Sequence, residues 1–216
     1  MWTEQIFKIS PGVRLCVVRV PEWETDDSEL RALTAPADLA RYEASSPRRQ
    51  AESRAAAAAL CRLLTAESPQ RAGKGVLSHL PGGAPVLSHG LGYCSLSHDL
   101  PLAAAALADR PVGVDLLRRG RPASRPLSRL MDAGPVLNRL APELREEAAA
   151  VLWTQLEAWG KLLGVGLNLK PTDLPRAVLK DGRVTLEKEG AVFVTVPLET
   201  AVLSAAYKNE KETPSE

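Results

Sequence analysis

Two long helix-forming segments, set among short strand-like runs, restrict this chain to folds that combine helices with sheets. The first is predicted over residues 48–66, because Ser46 can cap a helix that begins at Pro47 and the alanines that follow favour helix. The second is predicted from Pro142 to Leu163, with apolar side chains at helical spacing and Gly164 as its stop signal. This arrangement predicts an α+β fold.

Short runs of β-branched or small apolar residues surround the helices and indicate strands. They lie at residues 13–20, 93–97, 102–108, 112–116, 177–179, 184–186, 192–196 and 202–206. Asp181-Gly182 is a typical two-residue hairpin turn. The similar order of elements predicts a pseudo-repeat, with an N-terminal α+β half at residues 1–108, a C-terminal α+β half at 109–207 and a disordered polar tail at 208–216.

The composition argues against several classes of protein. The chain has 216 residues, 45% of them hydrophobic, and a net charge of +1, so no overall field favours nucleic acid or a membrane surface. Its longest small-apolar stretches are far too short to span a bilayer. The first residues lack a signal-peptide pattern, and three cysteines without close spacing do not indicate disulfides or zinc. We therefore expect a cytoplasmic protein with reduced thiols.

Two segments place carboxylates where they could act chemically. Glu157 and Lys161 are four residues apart in the second helix and share one face, with Trp153 one turn earlier. Asp115 stands at the end of an apolar strand-like run, where it must meet water, a donor or a cation. The structural alternatives are a surface ion pair beside a core stripe and an aspartate that caps a turn.

Two further segments carry polar or basic residues. Ser97, His98 and Asp99 are consecutive, so their side chains diverge and cannot form a nucleophilic triad among themselves; a polar turn is the alternative. Arginines such as Arg49 and Arg54 lie in the first half of the first helix, where they could hold phosphate, although a solvated basic face is the commoner arrangement.

Taken in order, these segments resemble the 4'-phosphopantetheinyl transferase superfamily, in its larger pseudo-dimeric type that activates surfactin synthetase. The resemblance covers residues from about 40 to 170. It is carried by Ser53-Arg54, Gly83-Ala84-Pro85, Ser95-Leu96-Ser97-His98-Asp99, Gly113-Val114-Asp115-Leu116-Leu117, and the helical run from Trp153 to Gly166.

The resemblance implies a fold of two similar α+β halves that form an intramolecular pseudo-dimer, with the site at their interface and a monomer as the active form. It implies transfer of the 4'-phosphopantetheine arm of coenzyme A to a serine of an apo acyl or peptidyl carrier protein, with release of 3',5'-ADP. The implied metal is Mg²⁺, or Mn²⁺, held by Asp115 and Glu157.

The resemblance also assigns roles to the other candidate residues. Lys161 is expected to meet the pyrophosphate, and Glu157 to serve as a base as well as a metal ligand. His98 and the Ser97 region are expected to hold the 3'-phosphate and ribose. Arg49 and Arg54 are expected to bind the phosphates on the adenine side. The basic stretch from residue 118 to 125 is a plausible docking surface for an acidic carrier.

This chain departs from the family pattern at two positions. Leu117 stands where the family usually has a glutamate that also ligates the metal, and Leu156 stands where it usually has a lysine. Leu117 removes one carboxylate, which water could replace, and Leu156 fits the buried stripe of the helix. The alternative function is therefore a catalytically impaired member that binds coenzyme A or a carrier protein.

Overall fold

The computed structural model of the chain describes residues 4–21, 25–67, 76–88 and 90–209. It divides into two compact units, an N-terminal unit, Met1–Val112, and a C-terminal unit, Gly113–Glu216. Both units combine helices with antiparallel strands, so the predicted α+β class is confirmed. No helix within the described ranges has the length and apolar character needed to cross a membrane.

The N-terminal unit is built on an antiparallel sheet of four strands. Its order is β1-β2-β6-β5. The elements of this unit are β1 (Glu4–Ser10), β2 (Val13–Arg19), α1 (Ser28–Leu33), α2 (Pro36–Glu43), α3 (Pro47–Glu67), β3 (Leu77–His79), β4 (Pro85–Leu87), β5 (Tyr93–Asp99) and β6 (Leu102–Ala108).

Small side chains allow α3 to pack closely on this sheet. The helix buries a run of alanines together with Leu60, Leu63 and Leu64, and it lies against β2 and the alanine-rich β6, which is buried along its whole length. A separate hairpin of β3 and β4 is attached to the segment between α1 and α2, where Thr34 bridges Leu77. The first predicted helix is confirmed with its start at Pro47.

The C-terminal unit contains the second long helix and two small sheets. Its elements are β7 (Val112–Arg118), α4 (Ser124–Leu127), α5 (Gly134–Leu137), a 3-10 turn (Pro142–Leu144), α6 (Arg145–Leu162), a second 3-10 turn (Pro171–Asp173), β8 (Arg176–Lys180), β9 (Arg183–Glu187), β10 (Ala191–Pro197) and β11 (Ala201–Lys208). One sheet has the order β10-β11-β7, and β8 pairs with β9 across the predicted Asp181-Gly182 turn.

Helix α6 packs on β11 and β9 through its predicted apolar stripe. Leu152, Leu156 and Trp159 are buried, so the leucine at position 156 is a core residue, as the stripe predicts. The helix ends as predicted, with Gly164 at positive φ and the N–H of Val165 bonded to the carbonyl of Gly160.

The boundary between the units differs from the predicted one. It falls after Val112 rather than after residue 108. The turn that follows β6 belongs to the N-terminal unit because Asp109 N–H bonds to the carbonyl of Gly12 and Arg110 donates to the carbonyl of Pro11. The turn is thereby tied to the β1–β2 hairpin.

The predicted disordered tail also begins too early. Lys208 pairs with Ala191 as the last residue of β11, and the N–H of Asn209 bonds to the carbonyl of Gly190. These backbone hydrogen bonds order Lys208 and Asn209, although the polar composition of the segment predicted disorder. Residues 210–216 lie outside the described residues.

Candidate functional site

Asp115 lies in a buried stretch of β7 and forms an ion pair with Lys161 on α6. Its side chain is 9% exposed, and the Lys161 ammonium donates to Asp115 Oδ1 at 2.7 Å. The same ammonium donates to the carbonyl oxygen of Val114 at 3.0 Å. Asp115 is the central residue of β7, which continues to Arg118, so it does not stand at the strand end that the sequence predicts. It is held beside the helix face that carries Lys161.

Glu157 lies close enough to Asp115 for the two charges to interact. Burial, which is the largest cause, and the neighbouring charge of Asp115 together raise the pKa of the Glu157 carboxyl to about 7, while the Lys161 ammonium opposes the rise. We call Asp115, Glu157 and Lys161 the carboxylate cluster. The structure therefore brings together these three predicted residues within the C-terminal unit.

A close backbone approach between β7 and α6 brings the cluster together. A Cβ atom built on Gly113 would stand 1.9 Å from the carbonyl oxygen of Ala158 and 2.8 Å from the nitrogen of Leu162. Only glycine fits there, and Ala158 is fully buried. Gly113 lies two residues before Asp115, and Ala158 directly follows Glu157. These two small residues therefore allow β7 and α6 to approach each other at the point where the cluster forms.

The carboxylate cluster offers the hard oxygen donors that Mg²⁺ or Mn²⁺ prefers. It provides two carboxylates, and within the described ranges no group of three or more His, Cys, Asp or Glu side chains is arranged to hold a metal. Two carboxylates fit a Mg²⁺ ion that takes its remaining ligands from phosphate and water. Trp153, one turn earlier, packs against the apolar cluster of this unit.

The N-terminal unit contains a separate cavity of about 270 Å³, which we call the basic cavity because its basic lining residues outnumber its acidic ones. It is formed by α2, the first half of α3, β5 and the β3–β4 hairpin. Its basic lining residues are Arg41, Arg49, His79 and His98. Asp38 is the one acidic residue among those that line it. This balance of charge favours an anionic ligand.

The predicted residues His98 and Arg49 are linked by Glu52, which sequence reasoning missed. Glu52 is 12% exposed; Arg49 Nη1 donates to it at 3.4 Å, and His98 Nε2 lies 3.8 Å away. Burial acts to raise the pKa of Glu52, but the charge of His98 and hydrogen bonds from Arg48 and Arg49 outweigh it and lower the pKa. The sequence does contain a signal for Glu52, because Arg48 and Arg49 precede it by four and three residues, the spacing at which side chains on a helix meet.

Arg54 and Ser97 are placed differently from His98. Arg54 Nη1 donates to the hydroxyl of Tyr42 at 3.0 Å, and Tyr42 lines the basic cavity. Ser97 is buried and alternates along β5 with Leu96 and His98, which line the cavity. Alternation directs the Ser97 side chain to the opposite face of the sheet from His98.

The predicted basic stretch from residue 118 to 125 is partly structured. Arg119 pairs with Glu147 and donates to the carbonyl of Leu198 at 3.1 Å. Glu146 accepts hydrogen bonds from the N–H groups of Ala123 and Ser124, at the start of α4. Arg125 is exposed.

The three cysteines do not have the properties of catalytic nucleophiles. Cys16, Cys61 and Cys94 are free thiols. Burial raises the pKa of Cys16 and of Cys94 to about 12, so neither is a thiolate at neutral pH. The pKa of Cys61 is raised as well, again mainly by burial.

Comparison of the chain with models of known protein families gives no match, and comparison with curated proteins gives none either. The function must therefore be inferred from the residues of this chain. Those residues form two separate groups, the carboxylate cluster of the C-terminal unit and the basic cavity of the N-terminal unit.

Proposed function

We propose that this chain is a 4'-phosphopantetheinyl transferase, which transfers the arm of coenzyme A to a serine of an apo acyl or peptidyl carrier protein. The observation that carries the proposal is the carboxylate cluster, in which Asp115 pairs with Lys161 beside Glu157. These are the residues to which the motif resemblance assigns the chemistry. An ordinary surface ion pair would not include a strand aspartate that is 9% exposed.

In the proposed reaction, the carboxylate cluster would bind the metal ion and accept a proton. Asp115 and Glu157 would hold Mg²⁺ or Mn²⁺, which when bound neutralises charge on the pyrophosphate. The serine oxygen would attack the β-phosphorus of coenzyme A. The new bond between oxygen and phosphorus would form as the bond from phosphorus to the oxygen of 3',5'-ADP breaks. Glu157 would take the serine proton, directly or through water. Lys161 would stabilise the charge on the departing group.

The basic cavity would hold the nucleotide end of coenzyme A. His98 and Arg49 line it and are the predicted residues best placed for this role. Arg54 would contribute through Tyr42, to which it donates. Ser97 faces away from His98 along β5, so we assign the Ser97 region a supporting role in the strand rather than a direct contact.

The proposal also names a partner and a setting. Carrier proteins of this kind are typically acidic, and the exposed Arg125 is a candidate contact for such a surface. With coenzyme A as co-substrate, the reaction would be cytoplasmic. The proposed active form is a monomer, as the motif resemblance implies.

Mass spectrometry of apo-carrier proteins tests the proposal. Fatty acid, polyketide and nonribosomal peptide carriers are incubated with the protein, coenzyme A and Mg²⁺, and one carrier should gain the mass of a single phosphopantetheine arm on serine. Asp115→Ala and Glu157→Ala should each lower turnover by orders of magnitude, whereas Glu143→Ala, an exposed control, should not. Near wild-type rates in both cluster variants would refute the metal assignment.

The second candidate is a catalytically impaired protein that binds coenzyme A or a carrier. It is favoured by Leu117, which packs against the apolar cluster of the C-terminal unit instead of supplying a third carboxylate. Calorimetric binding of coenzyme A without modification of any carrier in the panel would favour this candidate over the enzyme.

A further inference from the structure

Four polar side chains form a hydrogen-bonded group inside the C-terminal unit, which we call the buried polar network. Its members are Thr154 and Gln155 on α6, Thr195 on β10 and Ser204 on β11. Gln155 Nε2 lies 2.9 Å from Thr195 Oγ1. Ser204 Oγ lies 2.9 Å from Thr195 Oγ1 and 2.7 Å from Thr154 Oγ1. The network therefore leaves α6 at one residue and returns to it at the neighbouring one.

The hydrogen bonds of this network all run in one direction. The backbone N–H of Leu186 on β9 can only donate, and it lies 2.7 Å from Gln155 Oε1, so the amide oxygen accepts and Nε2 donates. Thr195 accepts from Nε2, and its own hydroxyl hydrogen goes to Ser204. Ser204 then donates to Thr154, which donates to a carbonyl oxygen one turn earlier in α6 at 3.0 Å. In this direction each of the three hydroxyl hydrogens has an acceptor.

Such a network restricts the rotation of α6 about its own axis. Leu152 and Leu156 also bury the helix, but apolar packing is non-directional and tolerates a range of rotations. Thr154, Gln155 and Ser204 are buried as well, and a buried polar group is costly unless it is bonded in good geometry. A rotation of α6 would leave several of these groups unpaired, so the network favours a single rotation.

The same rotation determines the direction of the side chains in the carboxylate cluster. Lys161 follows Thr154 by seven residues, so the two lie on one face of α6, two turns apart. Glu157 follows Thr154 by three residues and is its neighbour on the helix surface. The network anchors α6 on β10 and β11, and Lys161 donates to Asp115 on β7, which is next to β11 in the same sheet. The helix is therefore tied to one sheet by two sets of polar bonds.

We infer that the buried polar network positions the carboxylate cluster, and that Thr154 is a positioning residue of the proposed site. Thr154 would touch neither substrate nor metal. It acts by holding α6 at the rotation in which Lys161 reaches Asp115 and Glu157 lies beside them. The effect on catalysis rests on the proposed function, whereas the effect on the geometry of the cluster can be measured in the free protein.

A double-mutant cycle, measured by urea unfolding of the full-length protein with a chelator present, tests this inference. Thr154→Val removes the hydroxyl and keeps the shape of the side chain, and Lys161→Met removes the ammonium that pairs with Asp115. The two positions are about 10 Å apart along the helix, a separation at which independent effects usually add. If the network sets the rotation that forms the ion pair, the increase in the unfolding constant of the double variant should be smaller than the product of the two single increases, by about threefold or more.

Three further variants complete the cycle experiment. Thr154→Ser keeps the hydroxyl, so it should show additive effects with Lys161→Met, and the exposed Thr200→Val should do the same. Ser204→Ala removes the partner of Thr154 on β11 and should show the same non-additivity as Thr154→Val, which covers the case in which Thr154→Val fails to fold. Additive effects in both the Thr154→Val and the Ser204→Ala cycles would overturn the inference.

The carrier assay separates this inference from the proposed function. Thr154→Val should lower kcat about tenfold or more, because misplaced reacting groups lose rate, and Thr154→Ser should retain it. A wild-type protein that modifies no carrier but shows the non-additive cycles would refute the enzyme and still support the positioning role. A wild-type protein that modifies a carrier, with additive cycles and unchanged kcat in Thr154→Val and Ser204→Ala, would refute the positioning role alone.

Discussion

The carboxyl group of Glu157 is half-buried, and its charge is disfavoured in the folded chain. Its pKa is about 7, above the ordinary 4.5, mainly because of burial and next because of Asp115. Since the folded state binds the proton more tightly, the protonated group stabilises the fold fully below pH 4.5. That contribution declines as the pH rises toward 7 and is lost above it.

We therefore predict that Glu157→Gln makes the metal-free protein more stable at pH 8. The free energy of unfolding should rise by about 2 kcal/mol at pH 8 and change little at pH 4, because Gln carries no charge at either pH. Urea unfolding at both pH values, with a chelator present, measures this difference. The exposed Glu143→Gln is the control, and equal effects of the two substitutions at pH 8 would contradict the prediction.

Leu117 offers a second test at the residue scale. It lies two positions after Asp115 on β7, and so on the same face, and it packs against the apolar cluster that contains Leu152 and Leu156. We predict that Leu117→Glu destabilises the metal-free protein by about 1–3 kcal/mol, because the carboxylate loses water. Mg²⁺ should recover part of the loss.

Leu117→Gln is the matched control for this substitution. It removes the same apolar contacts but adds no charge, so Mg²⁺ should raise its melting temperature less than that of the Glu variant. Thermal unfolding with and without Mg²⁺ measures the difference. An equal shift in the two variants would show that position 117 does not face the metal.

Residue spacing was sufficient to predict part of the site. The four-residue spacing of Glu157 and Lys161 and the acidic residue in the apolar run at 112–116 predicted three side chains that the structure brings together, although β7 continues past Asp115 to Arg118. Asp38 and His79 were missed, because they lie on an eight-residue helix and a three-residue strand that show no clear periodicity. Their proximity arises from the attachment of the hairpin, which local sequence does not encode.

At the scale of elements, the contact between β7 and α6 determines the geometry of the carboxylate cluster. Gly113→Ala would place a methyl group against the backbone of α6, 1.9 Å from a carbonyl oxygen that cannot rotate away. The strand and the helix must therefore separate. We predict a loss of about 1–3 kcal/mol in the free energy of unfolding, as expected for overpacking.

Denaturant unfolding measures the effect of this substitution, and Gly82→Ala serves as the control because a Cβ there would meet no atom within 4 Å. Because the strand carries Asp115, the Gly113 variant should also lose carrier modification under conditions where it remains folded. Wild-type stability in Gly113→Ala would mean that β7 and α6 do not approach so closely.

The elements that the sequence predicted are those with a strong local signal. The alanine-rich α3, the apolar stripe of α6 and the Asp181-Gly182 hairpin were all recognisable. β1 was missed because its residues are mostly exposed, and an edge strand without alternation carries little signal. The short helices α4 and α5 were missed because each spans only four residues, too few to show a helical periodicity.

At the scale of the whole molecule, the two units supply different parts of the proposed machinery. The C-terminal unit contains the carboxylate cluster, and the N-terminal unit contains the basic cavity. Composition and element order predicted two α+β parts of similar size. They could not locate the boundary, which depends on hydrogen bonds from the turn after β6 to the distant β1–β2 hairpin.

The last prediction concerns the binding of metal and coenzyme A to the whole chain. Lys161 already pairs with Asp115, so Mg²⁺ alone must compete with an ammonium group for one of only two carboxylates. The coenzyme A pyrophosphate would add negative charge and oxygen ligands, and it would offer Lys161 another partner. Mg²⁺ and coenzyme A should therefore each tighten binding of the other by the same factor, about tenfold or more.

Calorimetry measures this coupling in two experiments. In the first, coenzyme A is titrated into the protein in the presence of either Mg²⁺ or a chelator. In the second, Mg²⁺ is titrated into the protein with and without coenzyme A. Asp115→Asn should abolish the coupling, because it removes a carboxylate from the metal. Arg49→Gln, which alters the basic cavity, should weaken coenzyme A binding about equally with and without Mg²⁺ and so preserve the factor. If Mg²⁺ binds the free protein as tightly as the complex, Lys161 does not compete with the metal, and Asp115 is not its ligand.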